Sequence, residues 1–348
     1  MILDQIRLPV VLAPMAGGPS TPELTGAVTD AGGLGLLAAG YLSAEQIGSR
    51  IAAVRELTSG LFGVNLFAPG PATAPEKYAG YLAALGARFE VGAARHDTDD
   101  WAAKLDLLVA APVPVVTVTF GCPSPAEIAR LHGAGSEVWV TVTSVGEAEH
   151  AVGAGADVLV VQGSEAGGHR AVFRDDIADD AGDPLSLLAL LQLVSAAVEV
   201  PLVATGGLTT GAGIAAALAA GAAAAQIGTA YLRSPEAGTN PVHRAAIGGA
   251  APTALTRAFT GRRARGIRNA FMDEFGAAAP VAYPEIHHAT AGLRAAARAE
   301  GNPDAVNLWA GQTHSLAPEL PAGELTGQLA ADAKNALERT LARRFPAR

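Results

Sequence analysis

Residues 157–173 read DVLVVQGSEAGGHRAVF. The stretch opens on four apolar residues, Val158 to Val161, three of them β-branched. Such a run is too short for an ordinary helix and typical of a strand buried on both faces. It then breaks into a loop carrying Gln162, Ser164, Glu165, His169 and Arg170 around the paired glycines Gly167 and Gly168. Polar and titratable groups are thus delivered to the carboxyl end of a buried strand, the end at which parallel α/β proteins bind ligands. Adjacent glycines there allow main chain to approach a flat or anionic ligand with no Cβ in the way.

The same unit, a helix ending in small residues and Gly, then a short apolar strand, then a loop, recurs along the chain. It reads DAGGLGLLAAG at 30–40, HGAGSEVWVTVTS at 132–144, VGAGADVLVVQG at 152–163 and LAAGAAAAQIGT at 218–229. The pattern predicts strands at 10–13, 34–38, 63–67, 113–119, 137–143, 157–161, 202–205 and 223–227. Helices are expected at 21–31, 43–57, 124–132, 146–153, 185–197 and 211–220. Eight βα units in about 240 residues match an α/β (β/α)8 TIM barrel, which typically needs about 250. A doubly wound sheet is the alternative, but no G-x-G-x-x-G turn follows the first strand, which counts against a dinucleotide-binding Rossmann domain. Residues 70–105, broken by Pro69, Pro71 and Pro75, read as an insertion after the third strand. Beyond 235 the pattern changes to helical segments joined by Gly- and Pro-rich loops with no clear strand. The expected organisation is a barrel of 1–234 and 321–348, with 325–345 a helix packed back on it, and a helical substrate-side or lid domain of 235–320.

Half of the 348 residues are hydrophobic, 16% are charged and 5% are aromatic, so the chain is globular with a core of Ala, Val, Leu and Ile. A formal charge of −9 argues against nucleic acid as a partner. The local exception, Arg262, Arg263, Arg265 and Arg268, reads as a contact for an anion or, more simply, as a solvated basic face. A single cysteine, Cys122, excludes an internal disulfide and suits the cytoplasm. Asp4 and Arg7 interrupt the first apolar run, so no signal peptide is expected. The uncharged stretch 213–232 is Ala- and Gly-rich, with Gly221 and Gln226 inside it, and reads as helix, turn and strand rather than a membrane span. A soluble, cytoplasmic monomer or homodimer is the expectation.

Several groups converge on one barrel mouth. Gly206-Gly207 and Gly228-Thr229 follow the last two strands, where TIM barrels often hold phosphate on main-chain N–H groups, although each pair also reads as an ordinary βα turn. Ala13-Pro14-Met15-Ala16-Gly17-Gly18 forms a compact loop along which a planar ring can lie. Asn65, polar within FGVNLF, faces the lumen if Val64 and Leu66 face the helices, and Gln162 offers the same amide chemistry. The two amides either pair with neighbouring loops or meet a heteroaromatic cofactor. His169, just past Gly167-Gly168, is the catalytic candidate, because imidazole can take a proton or stabilise an anion near neutral pH. His96, His132, His150, His243, His287, His288 and His314 are scattered, and the adjacent His287-His288 make a poor metal pair. With no H-E-x-x-H or C-x-x-C pattern, no metal is expected. Glu165 is either a base or, more simply, a helix cap, and Cys122 a small buried residue rather than a nucleophile.

These motifs resemble those of the nitronate monooxygenases, the FMN-dependent TIM-barrel family once called 2-nitropropane dioxygenases. The resemblance rests on APMAGGPSTPEL at 13–24, FGVNLF at 62–67, TVTFG at 117–121 and QGSEAGGHR at 162–170. It continues in TGGL at 205–208, QIGTAYL at 226–232 and LWAGQ at 308–312. GGHR together with LWAGQ resembles the class that acts on alkyl nitronates such as propionate 3-nitronate. Ala171 departs from the pattern, standing where the family usually has a glycine. The resemblance implies FMN bound by Ala13, Met15, Asn65, Gln162, Gly167, Gly168, Gly206, Gly207, Gln226, Gly228 and Thr229, the glycine pairs 206–207 and Gly228-Thr229 at its phosphate. It implies His169 beside the flavin, against an anionic nitronate, with Tyr283, Trp309 and Gln312 on the substrate side. The implied reaction passes one electron from nitronate to FMN, forming an anionic semiquinone. O2 then reoxidises the flavin, and the products are an aldehyde or ketone plus nitrite. Two rivals stand beside this reading: an NAD(P)H-dependent flavin barrel acting on quinones or enoyl-acyl carrier proteins, and a non-catalytic flavin- or phosphate-binding protein.

Overall fold

In the computed structural model, residues 1–177 and 184–345 are described, so the last three positions of the expected barrel segment lie outside the described residues. Eight parallel strands form the central sheet. They are β1 (Val10–Leu12), β2 (Gly35–Ala38), β3 (Phe62–Phe67), β4 (Val115–Thr119), β5 (Glu137–Val142) and β6 (Val158–Gln162). After a two-residue strand outside that sheet, β7 (Gly168–His169), come β8 (Leu202–Thr205) and β9 (Ala224–Ile227). The order is β1-β9-β8-β6-β5-β4-β3-β2, and a parallel bridge between Val11 and Leu34 brings the two ends together. This is the expected TIM barrel, and each expected barrel strand is present within a residue or two of its bounds.

The period of two decides which side chains fill the lumen. On β6, Val158 and Val160 join Val11, Leu36, Val115, Trp139 and Val203 in one buried cluster. Leu159 and Val161 point the other way, onto Leu187, Leu190 and other residues of the helix layer. Trp139, fully buried among the valines, fills the barrel interior, so open space is left only toward the carboxyl ends of the strands. The helices of the outer layer are α1 (Pro22–Asp30), α2 (Ala44–Leu57), α3 (Ala79–Gly86), α4 (Trp101–Ala110), α5 (Pro125–Ala134), α6 (Val145–Ala154), α7 (Leu187–Ala197) and α8 (Gly211–Ala219). Their limits follow local chemistry. Ser43 and Gln46 cap the start of α2 reciprocally, as Ser124 and Glu127 do for α5. Gly135 and Gly155 end α5 and α6 in the left-handed conformation that the recurring Gly predicted.

The segment after β9 departs from expectation. It holds helices α9 (Pro241–Ala246), α10 (Ala270–Phe275), α11 (Glu285–Ala289) and α12 (Ala291–Ala299). It also contains two strands, β10 (Thr253–Thr256) and β11 (Ala264–Ile267), where none was expected. β11 pairs antiparallel with β10 on one side and with β7 on the other, matching Ala264 to His169 and Arg265 to Gly168. The appended segment is therefore stitched by main chain to the loop that carries His169. Its apolar residues, including Phe259, Phe271, Phe275 and Ile286, form a second core shared with Tyr81 and Leu85 of α3. The insertion after β3 thus serves as a support for this segment. The final helix, α13 (Ala322–Arg344), lies against α1 and α8 as expected, burying Leu325 and Leu329 beside Val28 and Ile214. Among the described residues, no helix is long and apolar enough to cross a membrane.

Candidate active site

A cavity of about 470 Å³ occupies the carboxyl end of the barrel. Ala13 and Met15 after β1, Asn65 on β3, Gln162 on β6 and Gln226 on β9 line it. So do Gly167, Gly168 and His169, the pair Gly206-Gly207 after β8, and Gly228 and Thr229 after β9. Of the expected substrate-side residues, Trp309 reaches the wall. Tyr283 stands behind it, its ring 5.7 Å from that of His169. Gln312 is not brought in: its side chain is exposed, and only its main-chain N–H is engaged, donating to the Glu165 carbonyl at 3.1 Å. Its neighbour Gly311 is the residue of LWAGQ that lines the cavity, its N–H donating to Thr229 Oγ1 at 3.0 Å.

The two amides are used differently. Asn65 Nδ2 is spent on β4, donating to the hydroxyls of Thr117 and Thr119 at 2.9 Å each. Its Oδ1 has no partner among the described residues and is the free acceptor on that wall. Gln162 holds the loop that carries His169. Its Nε2 donates to the His169 carbonyl at 3.0 Å, and its Oε1 accepts from Arg170 Nη1 at 3.1 Å and from Ala171 N–H at 2.9 Å. Arg170 adds a 2.6 Å bond to the Gly163 carbonyl. Ala171, fully buried, is thereby fixed, and its methyl is accommodated. At Gly167 an added Cβ would lie 2.5 Å from main-chain atoms of both Ala310 and Gly311, so the LWAGQ segment passes as closely as a side chain's absence allows.

His169 sits in an aromatic enclosure. Its ring is 5.6 Å from those of Phe120 and Trp309, and Nε2 lies 2.9 Å from Thr260 Oγ1. Burial, with Arg262 and Arg294 nearby, pushes its pKa down to about 3, so the imidazole is neutral at physiological pH. Tyr41 stacks on His287 at 4.0 Å, and the Tyr283 hydroxyl donates to that of Tyr41 at 3.2 Å. Burial raises both phenols, Tyr41 to about 12, so both stay protonated. The cavity wall therefore offers neutral donors and acceptors plus guanidinium groups, with no carboxylate among the described residues that line it. That suits an anionic ligand.

At the other part of the wall, the main-chain N–H groups of Gly206, Gly207 and Gly228 have no partner among the described residues. Three unpaired main-chain donors lining one Gly-rich cavity form the kind of cradle that holds phosphate. Gly206 and Gly207 have φ of +121° and +66°, a conformation L side chains rarely adopt. Thr313 supports this turn, its hydroxyl donating to the Gly207 carbonyl at 2.8 Å.

One expectation is settled otherwise by packing. The arginine run is not a solvated face: Arg262 and Arg265 are each only 7% exposed. Arg262 lies 4.0 Å above the Phe120 ring and donates to the Arg170 and Val172 carbonyls, while Arg265 Nε donates to the Ser164 carbonyl at 2.9 Å. Arg263 is half-buried, and Arg268 is at the surface, paired with Asp273. Glu165 takes its simpler reading, both carboxylate oxygens accepting from the N–H of Leu187 that begins α7, at 3.2 and 3.0 Å. Cys122 is half-buried and its thiol is pushed up to about 11 by burial and by Glu127, which disfavours the thiolate a nucleophile needs. Sequence reasoning passed over Tyr41, Phe120, Thr260, His287 and Arg294. A signal existed for two of them. Tyr41 and Phe120 lie just past the carboxyl ends of β2 and β4, and both have positive φ, 69° and 77°.

A sequence profile for the family described as nitronate monooxygenase matches residues 2–332. The nitronate monooxygenase of Pseudomonas aeruginosa is 41% identical over 337 residues, covering 92% of this chain and 94% of that protein. Among solved structures, a nitroalkane oxidase from Streptomyces ansochromogenes superposes with a TM-score of 0.95 at 46% identity, covering 97% of this chain and 99% of that one. FabK from Thermotoga maritima is more distant, with a TM-score of 0.75 at 28% identity, covering 97% of this chain and 96% of that one.

Proposed function

The chain belongs to the nitronate monooxygenase family of flavin-dependent oxidoreductases, and on that premise we propose that it binds FMN in the barrel-mouth cavity. Its reaction is the oxidation by O2 of small alkyl nitronates, of the propionate 3-nitronate type, to an aldehyde or ketone plus nitrite. The single observation that carries the reading is the composition of one cavity wall: unpaired N–H groups of Gly206, Gly207 and Gly228 in one part, neutral His169 among guanidinium groups in another.

The residues fit the cofactor. The glycine N–H groups take its phosphate, the 13–18 loop and Gly167-Gly168 admit a planar ring, and Asn65 Oδ1 is a free acceptor for a ring N–H. When bound, FMN supplies the electron acceptor for the nitronate and the route by which electrons reach O2. His169 then binds the negatively charged nitro group, donating one hydrogen bond to it, and Arg262 and Arg294 lower the cost of holding that charge in a buried place. With a neutral nitroalkane the same imidazole, unprotonated at physiological pH, accepts the α-proton. Gln162 and Arg170 keep the loop in position, and Phe120 and Trp309 exclude water from it.

The test is to mix the purified yellow holoenzyme with propionate 3-nitronate anaerobically, with no nicotinamide present. The expected result is the absorbance of flavin reduced by one electron, and nitrite on readmitting air. A flavin that stays oxidised with this nitronate and is reduced by NADH or NADPH instead would assign the cavity to a nicotinamide-dependent reductase.

A further inference from the structure

Helix α12 presents Ala291, Arg294 and Arg298 to the cavity. Their spacing of three and four puts them on one helix face. Ala291 contributes a methyl and leaves room, and the other two contribute guanidinium groups. Arg294 is 6% exposed. Its Nε donates to the Thr290 carbonyl at 3.3 Å and hydroxyl at 3.2 Å, and its Nη2 to the His287 carbonyl at 2.7 Å. Nη1 is left without a partner among the described residues. Arg298, half-buried, makes no side-chain hydrogen bond or ion pair with any described residue.

Among the described residues, no acid pairs with either guanidinium, which sets this pair apart. Arg257, equally buried, pairs with Asp175 at 2.7 Å, and the chain carries 33 Asp and Glu against 24 Lys and Arg. Yet Arg294 faces Arg298, the phenols of Tyr41 and Tyr283 and the His287 ring, and no carboxylate of a described residue bonds to it. Two like charges sharing one wall, partly desolvated and with no counter-ion among the described residues, are costly unless an anion comes between them. The pair lies on α12, whereas the glycine turns border Ala166 and Glu165 at Gly206-Gly207 and Ala13 and Met15 at Gly228. It adjoins His169, on which Arg294 acts electrostatically, by way of the stacked Tyr41 and His287 rings.

We propose that Arg294 and Arg298 form a second anion subsite in this cavity, which binds a carboxylate carried by the substrate away from its nitronate group. The subsite rests on the proposed nitronate oxidation and adds its selectivity. A guanidinium fork matches the two oxygens of a carboxylate, and a substrate bearing one negative charge at each end spans the space from His169 to α12. A nitronate of the same length with an apolar tail gains nothing from this wall and leaves both cations unpaired.

The test uses holoenzyme, propionate 3-nitronate and the apolar-tailed butyl-1-nitronate. Since Arg294 also ties α12 to α11, Arg298→Gln carries the decision. In that variant the ratio of kcat/KM for propionate 3-nitronate to that for butyl-1-nitronate falls roughly tenfold, with the loss in KM rather than kcat. Succinate, which also has an anionic group at each end, inhibits the wild type far better than butyrate, and that advantage shrinks in Arg298→Gln. An equal loss for both nitronates overturns the subsite and leaves nitronate oxidation standing. If wild-type enzyme oxidises neither nitronate, the parent reading fails, and succinate binding followed by flavin absorbance still decides the subsite. Equal binding of succinate by wild type and variant overturns it.

Discussion

Nε2 of His169 and the hydroxyl of Thr260 lie 2.9 Å apart, and the same hydroxyl lies 3.1 Å from the carbonyl of Arg262. Thr260 has one proton to give. If it goes to Arg262, Nε2–H donates to Thr260 and Nδ1 is a lone pair available as a base. If it goes to His169, Nδ1 carries the proton and donates to an anion. Thr260 thus positions the imidazole for either role. Thr260→Val, which keeps the volume and removes the hydroxyl, is expected to lower kcat/KM about tenfold or more at constant flavin content. Thr260→Ser restores it. Equal rates in the wild type and the Val variant, measured by oxygen uptake, refute the assignment.

Folding stability should fall in mild acid. The folded-state pKa values of His169 and His243 are about 3 and about 4, both held down first by burial, against about 6.5 in the unfolded chain. Between those limits the unfolded chain binds protons that the folded chain refuses, so stability rises with pH across the window and is lost as pH falls through it. His243, whose Nε2 bonds the Trp309 carbonyl at 2.9 Å, is the one to remove. His243→Gln is expected to abolish about 2 kcal/mol of the stability difference between about pH 7 and about pH 5. Urea unfolding at the two pH values checks it, and an unchanged difference contradicts the burial argument.

Which features were legible in the chain has a physical basis. The barrel strands read clearly because Val158 to Val161 and their counterparts are apolar on both faces, a pattern with few competing explanations. The β10–β11 pair did not, because β11 reads ARGI and buries an arginine whose side chain donates to the Ser164 carbonyl, 101 residues away, and to the Thr253 hydroxyl. No local propensity encodes such a partner. Gln162 and Asn65 were singled out for the same chemistry, yet one amide is consumed by its own loop and the other keeps an oxygen free. Only the register of Asn65 against Thr117 distinguishes them. Gln312 was placed on the substrate side because it shares a motif with Trp309. The main chain at Gly311 makes the contact, and the side chain of the next residue points away.

Gly167 and Gly168 are adjacent but answer to different constraints. An added Cβ at Gly167 meets main chain of Ala310 and Gly311 at 2.5 Å, whereas at Gly168 it meets nothing within 4 Å, and the constraint there is a φ of +77°. Gly167→Ala is expected to cost about 1–3 kcal/mol and to reduce bound flavin, because it pushes the 310–311 segment off the loop. Gly168→Ala should cost about 1–2 kcal/mol through backbone strain alone and keep more of its flavin. Thermal unfolding with the flavin-to-protein ratio separates the two. A Gly167 variant as stable and as yellow as wild type contradicts the close approach.

The sharpest test of the site is His169→Asn. Asparagine keeps a polar group of similar reach but has neither an imidazole lone pair for a proton nor aromatic contact with Phe120 and Trp309. The free glycine N–H groups and Asn65 Oδ1, assigned here to FMN, do not depend on the imidazole. Flavin content should therefore hold while kcat/KM for a nitronate falls about 10²- to 10⁴-fold, the range over which general acid–base and anion-stabilising groups contribute. Loss of flavin together with activity would mean that His169 holds the cofactor pocket together. Unchanged turnover would remove it from the reaction and shift the catalytic role to the Tyr41–Tyr283–His287 group behind it.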